Sequence, residues 1–353
     1  MDLNNSSIYK EIDAEGMLEH IHDFPSMCLQ AWQMATNFKL PPDYSRVNKV
    51  VLLGMGGSAI GADLIGALVA SEAKVTITTH RDYDLPAFID NETLVIASSY
   101  SGMTEETLHS FEKALLTDSK KLVITTGGRL KSLANREAIP TFCFDYETQP
   151  RAALPFSFLS ILAFLQQLGF VNDKSGDVLQ MIQVLQELSS KIKEDVPLAS
   201  NPAKQLAQKI HGRLVVIYGG GILSQVAHRW KTQINENSKA WAFYEVFPEL
   251  NHNTVVGYQF PKELGSSIAV VFLRSPSLPR QIEIRYEATC QLLDQAKIGY
   301  HIVDSEGNTP LSQLMSVVLF GDYVSYYLAM LYNTDPSPVR SIDYLKRQLK
   351  KAQ

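Results

Sequence analysis

Residues 47 to 61 read VNKVVLLGMGGSAIG and residues 93 to 107 read TLVIASSYSGMTEET. Each is an apolar run too short for a helix, and each stops abruptly in small residues. The first ends in glycines, the second in hydroxyls. Such a run reads as a strand buried on both faces, and helical composition follows each one. Strands that alternate with helices form a parallel sheet, because parallel neighbours need a long crossover.

The same alternation continues outward. KVTITTH (74–80), KLVITTGG (121–128) and IPTFCFD (139–145) read as strands, with helices over 60–69, 104–116 and 152–168. Polar residues 171 to 200 are partly helical and read as a connection. The alternation then restarts with RLVVIYGGG (213–221), SSIAVVFLR (266–274) and YHIVD (300–304). Helices are expected after Leu223 and over 279–296, 310–331 and 341–350. Upstream, residues 14 to 36 have helical spacing, which Pro25 divides into two helices. The expected fold is α/β: two doubly wound α-β-α sandwich domains with parallel sheets. The expected boundaries are a helical segment (1–40), a first domain (41–170), a linker (171–200) and a second domain (201–353).

Bulk properties narrow the function. The chain has 353 residues, 45% of them hydrophobic and 20% charged, with a net charge of −5. No broad basic field invites nucleic acid or an anionic membrane. Cys28, Cys143 and Cys290 lack disulfide or metal-ligand spacing and read as free thiols in a reducing compartment. MDLNNSSIYKEID carries no signal-peptide pattern, and no apolar run reaches the ~20 residues of a membrane span. A cytoplasmic protein is expected.

The turn GMGGSAIG (54–61) admits several readings. A P-loop needs Gly-Lys-Ser/Thr, which is absent. A dinucleotide turn is met by Gly54, Gly56 and Ala59. A sugar-phosphate turn would use Gly56, Gly57 and the hydroxyl of Ser58, and simple close packing would also use glycine. The third strand favours phosphate. Ser99, Ser101 and Thr104 stand where ligands bind in such sheets, at a strand's C-terminal end. Helix capping needs one hydroxyl, and four lie between Ser98 and Thr104. The second glycine turn, Tyr218 to Ile222, has no such loop after its next strand, so one phosphate site per chain is expected.

These motifs resemble the sugar isomerase (SIS) domain, here doubled. QPRAALP (149–155), NENSKAWAFYEVFPELNHN (235–253) and DPSPVRSIDYLK (335–346) narrow the resemblance to the bifunctional phosphoglucose/phosphomannose isomerase family. The resemblance implies aldose–ketose isomerisation of a hexose 6-phosphate through a cis-enediol, without metal or organic cofactor. It implies phosphate binding by Gly57, Ser58, Ser99, Ser101 and Thr104. Glu236 would be the base, His252 would open the ring from the second subunit of a homodimer, Arg151 would steady the enediolate, and Lys346 would assist at the ring oxygen. Met103 departs from the polar residue usual in the hydroxyl loop.

Chemistry alone supports the main roles. One carboxylate can lift a proton beside a carbonyl and return it to the neighbouring carbon. Histidine has the intrinsic pKa to open a sugar ring, and a fixed guanidinium stabilises developing oxyanion charge. Asn235, Asn237, Asn251 and Asn253 are expected to orient Glu236 and His252, with Trp241, Phe243, Tyr244 and Phe247 excluding water. Ser337 is a candidate for contact near C2. The alternative is a non-catalytic SIS module that senses sugar phosphates, which would need the hydroxyl loop but not Glu236 together with His252. A nicotinamide dehydrogenase and a glutamine-dependent amino-sugar synthase fit less well, because the synthase's terminal cysteine is absent.

Overall fold

β1 (Lys49–Leu53), β2 (Thr76–His80), β3 (Thr93–Ser99), β4 (Lys120–Thr125) and β5 (Thr141–Cys143) form an all-parallel sheet in the order β2-β1-β3-β4-β5. The computed structural model describes residues 1–352. A second parallel sheet, β7-β6-β8-β9, is built from β6 (Leu214–Gly220), β7 (Ala242–Phe247), β8 (Ile268–Arg274) and β9 (Gly299–Asp304). The second half winds like the first and lacks only the fifth strand. In both sheets the order of strand addition reverses beside the first-formed strand, which opens a crevice at its C-terminal end.

Helices cover both faces. Along β1, Val50 and Leu52 face the central core, while Val51 and Leu53 face the outer cluster. That outer cluster is completed by α5 (Glu105–Ala114) and α6 (Gly128–Arg136). On the far side of the second sheet, Phe272 and Val270 pack with Tyr286 and Leu293 of α11 (Arg280–Ala296). Between the sheets lie α1 (Ser7–Ile12), α2 (Met17–His22), α3 (Phe24–Asn37), α4 (Gly56–Val69) and α7 (Leu154–Gln167). With them lie α8 (Ser175–Ile192), α9 (Pro202–Ile210), α10 (Ser224–Ser238) and α12 (Pro310–Leu331). One continuous apolar cluster runs through all nine. The chain closes with α13 (Arg340–Ala352), an exposed helix.

Three elements differ from the sequence reading. The expected absence of a span-length apolar helix is corrected by α12: its 22 residues are long and apolar enough to cross a membrane, and 89% of the apolar window is buried inside the protein. Polar residues such as Ser316 and Asp322 interrupt its run, so run-counting misses it. β7, a segment read only as aromatics that exclude water, pairs with β6 as an edge strand. And α4 begins at Gly56, so the glycines and Ser58 form its first turn rather than preceding it.

Candidate active site

The crevice at β1 and β3 is built from two helix starts. β1 runs into Gly54, and α4 starts at Gly56 with φ +48. The Tyr100 backbone N–H donates to Ser58 Oγ at 3.1 Å, tying α4 to the loop after β3. In that loop the Ser99 and Thr104 hydroxyls are hydrogen-bonded at 2.9 Å, and the Met103 N–H donates to Ser101 Oγ at 3.2 Å. Thr104 is the N-cap residue of α5, yet neither α4 nor α5 has a side-chain cap. The hydroxyls therefore ring two uncapped helix N-termini. Such ends present N–H groups and partial positive charge to an anion. Glu105 and Glu106 fill the first turn of α5, whereas α4 has no acidic residue there. The positive end of α4 is thus the stronger attractor.

The second glycine turn makes no such cradle. A Cβ on Gly220 would lie 3.1 Å from Phe247 Cβ and 3.4 Å from Tyr286 Oη. Aromatic side chains fill the space a phosphate would need.

Beside the α4 turn lies a buried guanidinium. Arg151 is 2% exposed. Its Nε donates to Asn237 Oδ1 at 2.7 Å, Nη1 to Glu236 Oε2 at 3.3 Å, and Nη2 to the Pro336 and Ser337 carbonyls at 2.7 and 3.1 Å. Burial lowers its pKa from the ordinary guanidinium value, and the Glu236 carboxylate opposes that. The partners are themselves held. Asn237 Nδ2 donates to Ser325 Oγ at 2.9 Å, and Arg229 Nη2 donates to the Arg151 carbonyl at 2.9 Å. Arg229 pairs with Asp322 at 3.0 Å, and Gln233 donates to the same carboxylate at 2.7 Å. Burial raises the Asp322 pKa, and the Arg229 charge works against the rise.

The two clusters touch. A Cβ on Gly57 would lie 2.8 Å from the Pro150 carbonyl oxygen and 3.2 Å from Arg151 Cα. Only glycine lets the helix start approach the arginine turn so closely. One site thus joins an anion cradle, a fixed cation and a carboxylate that is 29% exposed and can reach solvent.

Comparison with known proteins gives the family and the fold. Residues 199–349 match the family model described as bacterial phospho-glucose isomerase C-terminal SIS domain. The bifunctional phosphoglucose/phosphomannose isomerase of Caldicellulosiruptor bescii is 39% identical over 94% of this chain and 98% of its own length. The chain belongs to the bifunctional phosphoglucose/phosphomannose isomerase family. The Aquifex aeolicus member is 32% identical, covering 88% of this chain and 92% of its own. A hypothetical protein of Thermus thermophilus shares the fold, with TM-score 0.72 at 18% identity, covering 96% of this chain and 90% of its own.

In this chain, not every expected residue meets at one point. Glu236 lies in the last turn of α10. β7 leads away from that end, and six strand residues span about 20 Å. His252 is exposed in a short 3-10 turn that folds back beside α11, where Asn251 donates to Thr289 and Leu250 packs with Phe272 and Tyr286. Within one chain α10, which carries Glu236, and the turn of His252 therefore lie against opposite faces of the second sheet. Lys346 lies on exposed α13. The expectation that aromatics shield Glu236 and His252 is corrected: Trp241 is 72% exposed, and Phe243 is 41% exposed. Phe247 instead packs with Tyr286 on the far face. Of the four asparagines only Asn237 reaches Arg151. Asn235 donates to the Ala240 carbonyl, Asn251 to Thr289, and Asn253 Oδ1 accepts from the Thr254 N–H. Ser337 enters through its carbonyl.

Sequence reading missed the support. Arg229, Gln233 and Asp322 stand at helical spacing among apolar neighbours and look like interruptions of a core face. Only the pairing of α10 with α12 makes them partners. Lys239 was also missed, although three carbonyls lie around its Nζ.

Proposed function

We propose that this chain interconverts fructose 6-phosphate with glucose 6-phosphate and with mannose 6-phosphate through a cis-enediol. The observation that carries the reading is the Glu236 carboxylate on the buried Arg151 guanidinium, whose turn packs on the Gly57 helix start. The substrate phosphate sits on Gly56, Gly57, Ser58, Ser99, Ser101 and Thr104. Glu236 takes a proton from the carbon beside the carbonyl and returns it to the neighbouring carbon, C2 or C1. Arg151 stabilises the oxygen that gains negative charge meanwhile. The first domain (41–170) grips the phosphate and the second (201–353) supplies the base. Residues 171–200 join them, and the helical segment 1–40 packs into the core they share.

Ring opening falls to His252 of a partner subunit in a homodimer, with Lys346 assisting at the ring oxygen. The placement of Glu236 and His252 on opposite faces of the second sheet of one chain supports that assignment. The scheme asks for no metal or organic cofactor. We place the enzyme in the cytoplasm with hexose phosphate as its ligand, and neither nucleic acid nor membrane as partner; the net charge of −5 agrees. The deciding experiment is incubation of the purified protein with fructose 6-phosphate in EDTA, following both aldoses. Formation of both is expected. Binding without conversion would transfer the case to a sugar-phosphate sensor.

A further inference from the structure

Lys239 ends α10 three residues after Glu236, in the left-handed region at φ +54. Glycine or asparagine ordinarily takes that position. A lysine there bends its ammonium back over the helix end. Nζ donates to the Glu236 carbonyl at 2.6 Å and to the Pro336 carbonyl at 2.7 Å, with the Asn237 carbonyl at 3.4 Å. The Pro336 carbonyl also accepts from Arg151 Nη2 at 2.7 Å. One carbonyl oxygen is therefore shared by two cations, and the same two residues hold Glu236 from either side, one by its carboxylate and one by its backbone.

We propose that Lys239 is a positioning residue of the isomerase site: while protonated, it ties the Glu236 end of α10 to the 335–337 turn and so sets the carboxylate against Arg151. The proposal rests on the isomerase reading above. Its physical basis is local. The last carbonyls of a helix carry partial negative charge and bind an ammonium more strongly than a neutral amine. The charged groups facing Lys239 are Arg151 from the turn before α7, Glu236 on α10, Asp335 in the following loop and Glu15 in the N-terminal segment. Burial, then the Arg151 charge, push the lysine pKa down from 10.5 to about 8, against the pull of the three carboxylates. The clamp is therefore charged at neutral pH and loses its proton as the pH rises through about 8. A helix cap with no link to catalysis would leave the rate profile untouched.

The test compares kcat and KM for fructose 6-phosphate from about pH 6.5 to about pH 9.5 in wild type, Lys239→Met and Lys239→Arg. Wild-type kcat is expected to decline above about pH 8. Lys239→Met should lower kcat about tenfold or more at about pH 7, change KM less than about threefold, and lose the decline. Lys239→Arg keeps a permanent charge; it should hold kcat within about threefold and stay flat through about pH 9. Wild-type kcat in a folded Lys239→Met variant, or an unmoved decline in Lys239→Arg, overturns the proposal. Titration of ¹³Cε-labelled lysines separates this from the isomerase reading. A lysine resonance that titrates near pH 8 and vanishes in Lys239→Arg supports the clamp whatever the substrate. Its absence overturns the clamp even in an active enzyme. Wild type that turns over no hexose phosphate overturns the isomerase reading alone.

Discussion

Arg151 places all three of its nitrogens on protein acceptors, so its plane is fixed before any substrate arrives. A lysine cannot reproduce that fork. Arg151→Lys should therefore lower kcat/KM about 100-fold, read by coupled assay, and should also lower Tm, since the Pro336 and Ser337 carbonyls lose a donor. Glu236 is the sharper probe of chemistry. Glu236→Gln keeps shape but not basicity, so kcat should fall by more than ~100-fold while sugar-phosphate affinity, read by calorimetry, changes little. Turnover near the wild-type rate in that variant would remove Glu236 as the base. The residue types here were legible in the sequence. That Asn237, and not its neighbouring asparagines, holds Arg151 was not, because all four carry the same amide and only backbone direction separates them.

The element that matters most is the start of α4. Its N–H groups are uncapped, and it lies against Pro150 with no space for a methyl group. Gly57→Ala should push the helix start away from Arg151 and weaken fructose 6-phosphate binding about tenfold or more, with α4 otherwise intact; isothermal titration checks this. Helix and strand positions here were readable because buried strands and amphipathic helices have distinct periods. β7 was not, because an edge strand with exposed Phe243 and buried Phe247 has no full apolar run. Nor was the aromatic wall, since sequence shows an aromatic's presence but not the side of the sheet it faces.

At the scale of the molecule, the two halves are locked by ionic partners inside an apolar core. Arg229 on α10 and Asp322 on α12 form a pair that also holds the Arg151 carbonyl. Arg229→Met leaves Asp322 buried without its cation, so it should destabilise the fold by about 3–5 kcal/mol in urea unfolding, with activity falling in step. The proposed homodimer has its own test. Glu236→Gln and His252→Ala proteins, each inactive, are mixed and allowed to exchange subunits. If His252 serves the partner's Glu236, about a quarter of wild-type activity should return, because half the dimers carry one native site. No recovery after verified exchange would place both residues in one chain's site.

Some of this was written in the linear order. Short apolar runs ending in glycine and hydroxyl select parallel strands, and a carboxylate, a histidine and an arginine among polar neighbours name a proton-transfer chemistry. Both are local, since strand burial and side-chain reactivity depend on residue type and near spacing. What faces what is not local. Pairing α10 with α12 turns a core arginine and aspartate into a scaffold for Arg151. The close approach of Gly57 to Pro150 joins cradle to cation across more than ninety residues of chain. The second sheet stands between the turn of His252 and the helix of Glu236. These contacts are set by how two sheets pack their helices into one core, a property of the folded whole that no window of sequence contains.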